Sequence, residues 1–99
     1  MSTHRHRVRA GARTRAEVLA AVADALDFPD WFGHNLDALY DCLTDLSWLP
    51  PGEHVLVWEG GDAAVEAVLA DAEARTREVG DRRLTVVRDR RPGGGRPAS

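Results

Sequence analysis

Two short runs of strand-type residues, 54–58 (HVLVW) and 84–87 (LTVV), stand on either side of one helix-length segment. Their β-branched and aromatic content marks both as buried strands. Strands joined through a helix cannot close as a hairpin; they pair in parallel through a right-handed crossover. With 99 residues there is room for one domain and one small core. The class that follows is α/β, a small parallel sheet with helices packed on it.

The helices announce their own ends. Thr14-Arg15-Ala16-Glu17 is a capping box, and Val18, Leu19, Val22 and Leu26 follow at helical spacing. Pro29 stops that helix, because proline restricts Phe28 and removes a donor. Asn35 suits the N-cap of a second helix, with Leu36, Leu39, Leu43 and Leu46 on one face and Pro50-Pro51-Gly52 beyond its end. After the Gly60-Gly61 turn, Asp62 caps a third helix over 63–78, with Val65, Val68, Leu69 and Ala72 on its apolar face and Gly80 at its end. Residues 6–10 (HRVRA) form a short strand that sets Val8 and Ala10 on one face. Residues 1–5 are expected as a flexible basic arm, 6–88 as the domain, and 89–99, with three glycines and two prolines, as a disordered tail.

Charge is segregated along the chain. Residues 1–15 hold five arginines and no acid, residues 16–73 hold thirteen acids and no Lys or Arg, and residues 74–99 hold eight arginines against three acids. A centre without cations attracts a cationic partner, unless the arginine-rich ends fold back over it. Sequence leaves both open.

Several classes drop out. No stretch approaches the roughly 20 apolar residues of a membrane span. The basic N-terminus is not followed by the apolar run of a signal peptide, so a cytoplasmic protein is expected. Cys42 is the only cysteine; it cannot form an intrachain disulfide or a multi-cysteine zinc site, and it reads as a buried, inert thiol. His4 and His6 on an arm without a third ligand make no metal site. No nucleophile–base pair accompanies the acids, so neither an enzyme nor a cofactor is expected.

The informative stretch is residues 28–46 (FPDWFGHNLDALYDCLTDL). At 100° per residue, Asp37, Asp41 and Asp45 centre opposite the leucine face. Asp37 lies in the first turn, where the helix dipole favours it. Asp41 and Asp45 have no such support, and each like-charge i,i+4 pair costs roughly 0.2–0.5 kcal/mol. Stability is lost locally to keep this face acidic. Trp31 stands in the short loop before it, beside Phe32; one of the two rings anchors the loop, and that role suits Phe32. An exposed Trp31 beside carboxylates makes an interface anchor.

That stretch resembles the barstar family of ribonuclease inhibitors. The family pattern is a proline, an acid, two aromatics, Gly, any residue, Asn-Leu-Asp-Ala-Leu, an aromatic and Asp-Cys-Leu-Thr, which residues 29–44 follow. The helices and strands over 6–88 fall in the family's order. The resemblance implies a barstar-like α/β fold, a three-stranded parallel sheet with about three helices, and an inhibitor that plugs a nuclease cleft. It implies that Asp41 takes the place of the scissile phosphate and that Asp37 meets cationic side chains at the mouth. Trp31 stands where the family has a tyrosine, and the partner-binding set is Trp31, Gly33, His34, Asn35, Asp37, Ala38, Asp41, Thr44 and Asp45. The expected partner is a cationic ribonuclease, bound one to one by a monomer, with no nucleic acid or membrane. Two alternatives are an immunity or regulatory module for a different partner, and nucleic-acid binding through the arginine-rich ends. Three departures from the family stand out: Asp45-Leu46 in place of a small residue and a tryptophan at the end of the second helix, a short link after Trp58, without the helix often found there, and no assured counterpart of the family's glutamate on the last helix, where Glu73, Ala74 or Arg75 compete.

Overall fold

A computed structural model describes residues 2–78 and 81–88. The elements run β1 (Thr3–Arg7), α1 (Arg15–Ala25), α2 (Leu36–Asp45), β2 (Gly52–Trp58), α3 (Ala63–Glu78) and β3 (Arg82–Arg88). The strands form one parallel sheet in the order β1-β2-β3, with His4 opposite His54 and His54 opposite Leu84. The architecture is the expected α/β one, three helices and three parallel strands. α3 follows β2 after four residues, so no helix intervenes.

β1 departs from the sequence reading. The strand expected over 6–10 lies at Thr3–Arg7, so residues 3–5 are paired strand and not a flexible arm. The reason is its inward side, which carries His4 and His6 where an apolar pattern would be sought, with Arg5 and Arg7 outward. Val8 is buried as expected and extends the ladder by donating to the Val57 carbonyl at 2.9 Å, while Ala10 is exposed. Gly80 and residues 89–99, read above as a helix stop and a disordered tail, lie outside the described residues.

All three helices contribute to one core on one side of the sheet. Leu19, Val22 and Leu26 from α1 and its cap, Leu39 and Leu43 from α2, and Val65 and Leu69 from α3 close over Leu56, Trp58 and Leu84. α1 opens with the expected box: Glu17 N–H donates to Thr14 Oγ1 at 3.1 Å, and Glu17 Oε1 accepts from the Thr14 N–H at 3.2 Å. Asp62 caps α3 by accepting from the Val65 N–H at 3.0 Å. α3 also covers the outer edge of β3. Thr76 Oγ1 accepts from the Leu84 N–H at 2.9 Å and Glu73 Oε2 from the Val86 N–H at 3.0 Å. Donors on an open sheet edge invite pairing with other chains; here two of them are satisfied from within. Glu73 is thereby committed to the sheet.

Candidate functional site

The loop before α2 is built on aromatic packing. Phe32 is 6% exposed and meets Phe28 edge-on at 4.8 Å; Phe28 meets Trp48 at 5.7 Å. The indole N–H of Trp48 donates to the Leu26 carbonyl at 2.9 Å, tying the segment after α2 to the end of α1. The Phe32 N–H donates to the Pro29 carbonyl at 3.0 Å, closing a turn. That turn points the two rings apart: Phe32 goes inward, and Trp31 is left 64% exposed. A folded domain gains nothing from an indole in water, so this is the position to explain.

The path into α2 is fixed by three residues. His34 takes the left-handed conformation, φ 52°, with its ring tilted on Phe32 at 4.8 Å. Asn35 caps the helix, its Oδ1 accepting from the Ala38 N–H at 2.8 Å. A Cβ on Gly33 would stand 3.2 Å from Asn35 Nδ2, so a glycine there leaves room for the cap. Asn35→Ala removes the cap and is expected to cost about 1 kcal/mol of stability, read as a lower urea midpoint with an unchanged denaturant slope.

α2 separates its faces cleanly. Leu39, Cys42 and Leu43 are buried, and Asp37, Asp41 and Asp45 are exposed. Cys42 is a free thiol beneath the acidic face; burial pushes it above the usual range, and the charges of Asp41 and Asp45 add to that. Ala38 is half-buried against the core, and the Thr44 hydroxyl donates back to the Tyr40 carbonyl at 2.9 Å. Thr44 thus offers an outside partner only its lone pairs.

The arginine-rich ends do fold back, and they do so selectively. Arg9 pairs with Asp24, Arg15 with Asp62 at 2.8 Å, and Arg88 with Glu66. The Arg15 guanidinium holds the Asp62 carboxyl below the ordinary carboxylate range. Within α3, Arg75 pairs with Glu78 and Arg77 with Glu73. None of the ion pairs among the described residues reaches Asp37, Asp41 or Asp45; Asp45 only accepts from the Ser47 hydroxyl at 3.1 Å. Among the described residues the fold therefore pairs acids of α1, of the α3 cap and of α3 with arginines and forms no ion pair to the α2 stripe, beside the exposed indole. The nine sequence-predicted residues share one continuous strip of loop and helix. Ala38 and Thr44 are its least available members.

Sequence reasoning missed one polar cluster elsewhere. His54, read as the start of a strand, is fully buried on β2 against His4 and His6 of β1. No group of three or more metal-capable side chains among the described residues is placed to hold a metal ion, and no helix there is long and apolar enough to cross a membrane.

Residues 4–87, well over half of the chain, match the family described as Barstar (barnase inhibitor). A stretch of 27 residues is 67% identical to a Bacillus subtilis (strain 168) protein named "Putative ribonuclease inhibitor YrdF". That match covers 27% of this chain and 30% of the relative.

Proposed function

The chain belongs to the barstar family, and from that premise we propose that it is a stoichiometric protein inhibitor of a ribonuclease. It closes the active site of a cationic enzyme, a secreted microbial one, with α2 and the loop before it, and so protects the producing cell from within the cytoplasm. Trp31, Gly33, His34, Asn35, Asp37, Ala38, Asp41, Thr44 and Asp45 make up the contact surface. The observation that carries this reading is the unneutralised stripe of Asp37, Asp41 and Asp45 in a fold that pairs Asp24, Asp62 and Glu66 with arginines.

The chemistry is that of a mimic. An enzyme that grips a polyanion has a cationic cleft, and carboxylates one helical turn apart present anionic groups about 6 Å apart along the axis. Asp41, central in the row, takes the place of the phosphate under attack, and Asp37 meets cations at the mouth. Trp31 supplies apolar area that shields these charges from water. The engagement of Arg9, Arg15 and Arg88 in ion pairs counts against nucleic-acid binding through the termini. The commitment of Glu73 to β3 leaves the family's glutamate contact on the last helix without a free counterpart there.

Titration of a small secreted microbial ribonuclease through equivalence tests the proposal. The expected result is loss of activity in proportion to inhibitor added, complete at one to one. Association is expected to slow markedly between about 0.01 M and 1 M salt, as the Debye length shrinks from roughly 30 to 3 Å. An association rate flat across that range would contradict the charge-complementarity account. Absence of inhibition across a panel of such enzymes would turn the search to a partner other than a ribonuclease.

A further inference from the structure

Three imidazoles from two strands meet on the helix-facing side of the sheet. His54 is fully buried. Its Nε2 lies 2.8 Å from the Pro50 carbonyl oxygen, and its Nδ1 lies 3.0 Å from His6 Nε2. The other nitrogen of His6, Nδ1, lies 3.1 Å from the Ala25 carbonyl oxygen. A carbonyl oxygen only accepts, so His54 Nε2 and His6 Nδ1 must both carry protons. A neutral imidazole carries one proton. With both outer nitrogens protonated, two neutral rings would aim lone pair at lone pair across the 3.0 Å gap. That gap is a hydrogen bond only if a third proton lies in it.

We propose that His6 and His54 form a proton-binding site that holds one proton beyond those of two neutral imidazoles, shared between His6 Nε2 and His54 Nδ1. A second extra proton is excluded, because N–H would then face N–H. The surroundings resist a second charge: the pKa of His6 is lowered, by burial first, and repulsion from His54 and His4 adds to that. The Ala25 carbonyl and the charge of Asp27 act the other way. His4 on β1 stacks on His54 at 4.8 Å, and its Nε2 is buried without a hydrogen-bond partner. Ala25 is the last residue of α1, whose last turn holds no basic side chain. A cation at that C-terminal end complements the helix dipole. Two imidazoles that donate their outer N–H groups to carbonyls also resemble metal ligands, but among the described residues no three such side chains are placed to hold a metal ion.

Folding is then linked to pH on both sides. In the unfolded chain each ring titrates independently near 6.5. Below that pH the unfolded pair binds two extra protons against one in the fold, so stability falls as pH falls. Above it the unfolded pair binds none, so stability falls as pH rises. The pair's contribution is largest where the fold and the unfolded chain each bind one extra proton. Its two carbonyl anchors, Ala25 and Pro50, flank the segment that carries the acidic site, so the proton also fastens that segment at both ends.

Imidazole nitrogen NMR of the uniformly labelled full chain tests this directly, with exposed His34 as reference, over about pH 5–9. At pH about 7, the expected spectrum shows His6 Nδ1 and His54 Nε2 protonated. The two inner nitrogens should lie midway between protonated and bare, and on raising the pH both rings should lose the shared proton in one common step. In His6→Phe, the midway inner-nitrogen signal and the common step are both expected to be lost. If that variant does not fold, the native spectrum decides alone. Inner nitrogens both bare at neutral pH, or rings that follow separate curves, would overturn the proposal. So would an inner signal that disappears on adding a chelator, since a metal ion would then fill the gap.

Discussion

Replacing Asp41 by alanine is expected to weaken the complex with a ribonuclease by roughly 3 kcal/mol, on the order of 100-fold in Kd. The loss is large because the enzyme's cations, desolvated on binding, would be left buried without a partner. Asp37→Ala is expected to rank second, since Asp37 stands at the first turn and nearer the rim. Arg13→Ala, outside the nine proposed contact residues, should change affinity by no more than about 0.5 kcal/mol. The free protein should respond to Asp41→Ala in the opposite direction. Alanine is the better mid-helix residue, and the change removes like-charge pairs with both Asp37 and Asp45. The gain is on the order of 1 kcal/mol, or a rise of about 4–8 °C in Tm. Calorimetry of the free protein and titration against the enzyme measure the two effects separately. An unchanged Kd would remove Asp41 from the centre of the interface. A lower Tm would mean that its carboxylate supports the fold in a way its exposure does not show.

Opposite signs of this kind are the physical mark of a surface kept for a partner. They also explain why α2 was legible in the sequence as a candidate site. α2 carries every local signal at once: the Asn35 cap, leucines at helical spacing, prolines beyond the end, and three aspartates that no local rule requires. Each signal acts within one or two turns, so the linear sequence contains it. The same holds for the capping box of α1 and for Asp62 at α3.

What the sequence hid depends on partners far along the chain. β1 was sought a few residues late because its inward positions are His4 and His6. Their burial becomes intelligible only with His54, 48 residues beyond His6, supplying the opposite nitrogen. On α3, the role of Thr76 and Glu73 emerges only where β3 brings the Leu84 and Val86 N–H groups to them. The distribution of ion pairs was equally hidden. Composition could state that cations lie only at the ends, but only the fold decides that Arg9, Arg15 and Arg88 reach Asp24, Asp62 and Glu66 and not the α2 aspartates.

Leu43→Ala is expected to be among the most damaging substitutions for the free protein, at about 2–5 kcal/mol. Leu43 is 0% exposed on the inner face of α2, two residues from Asp41, and belongs to the one core beneath the sheet. Against a total of about 5–15 kcal/mol for a small domain, that loss brings the protein near unfolding at moderate temperature. The cavity left behind should not alter the charges on the outer face. In the cold, where circular dichroism shows the variant still folded, its Kd for the enzyme should match that of the native chain. At higher temperature the apparent affinity should fall only by the fraction unfolded. Asp41→Ala does the reverse, losing affinity while gaining stability. Together the two substitutions ask whether the faces of a single ten-residue helix work independently, the inner one holding the fold and the outer one the partner. A Leu43→Ala variant that is folded yet cannot bind would answer that they do not, and would make the exact seating of α2 on the core part of the recognition surface.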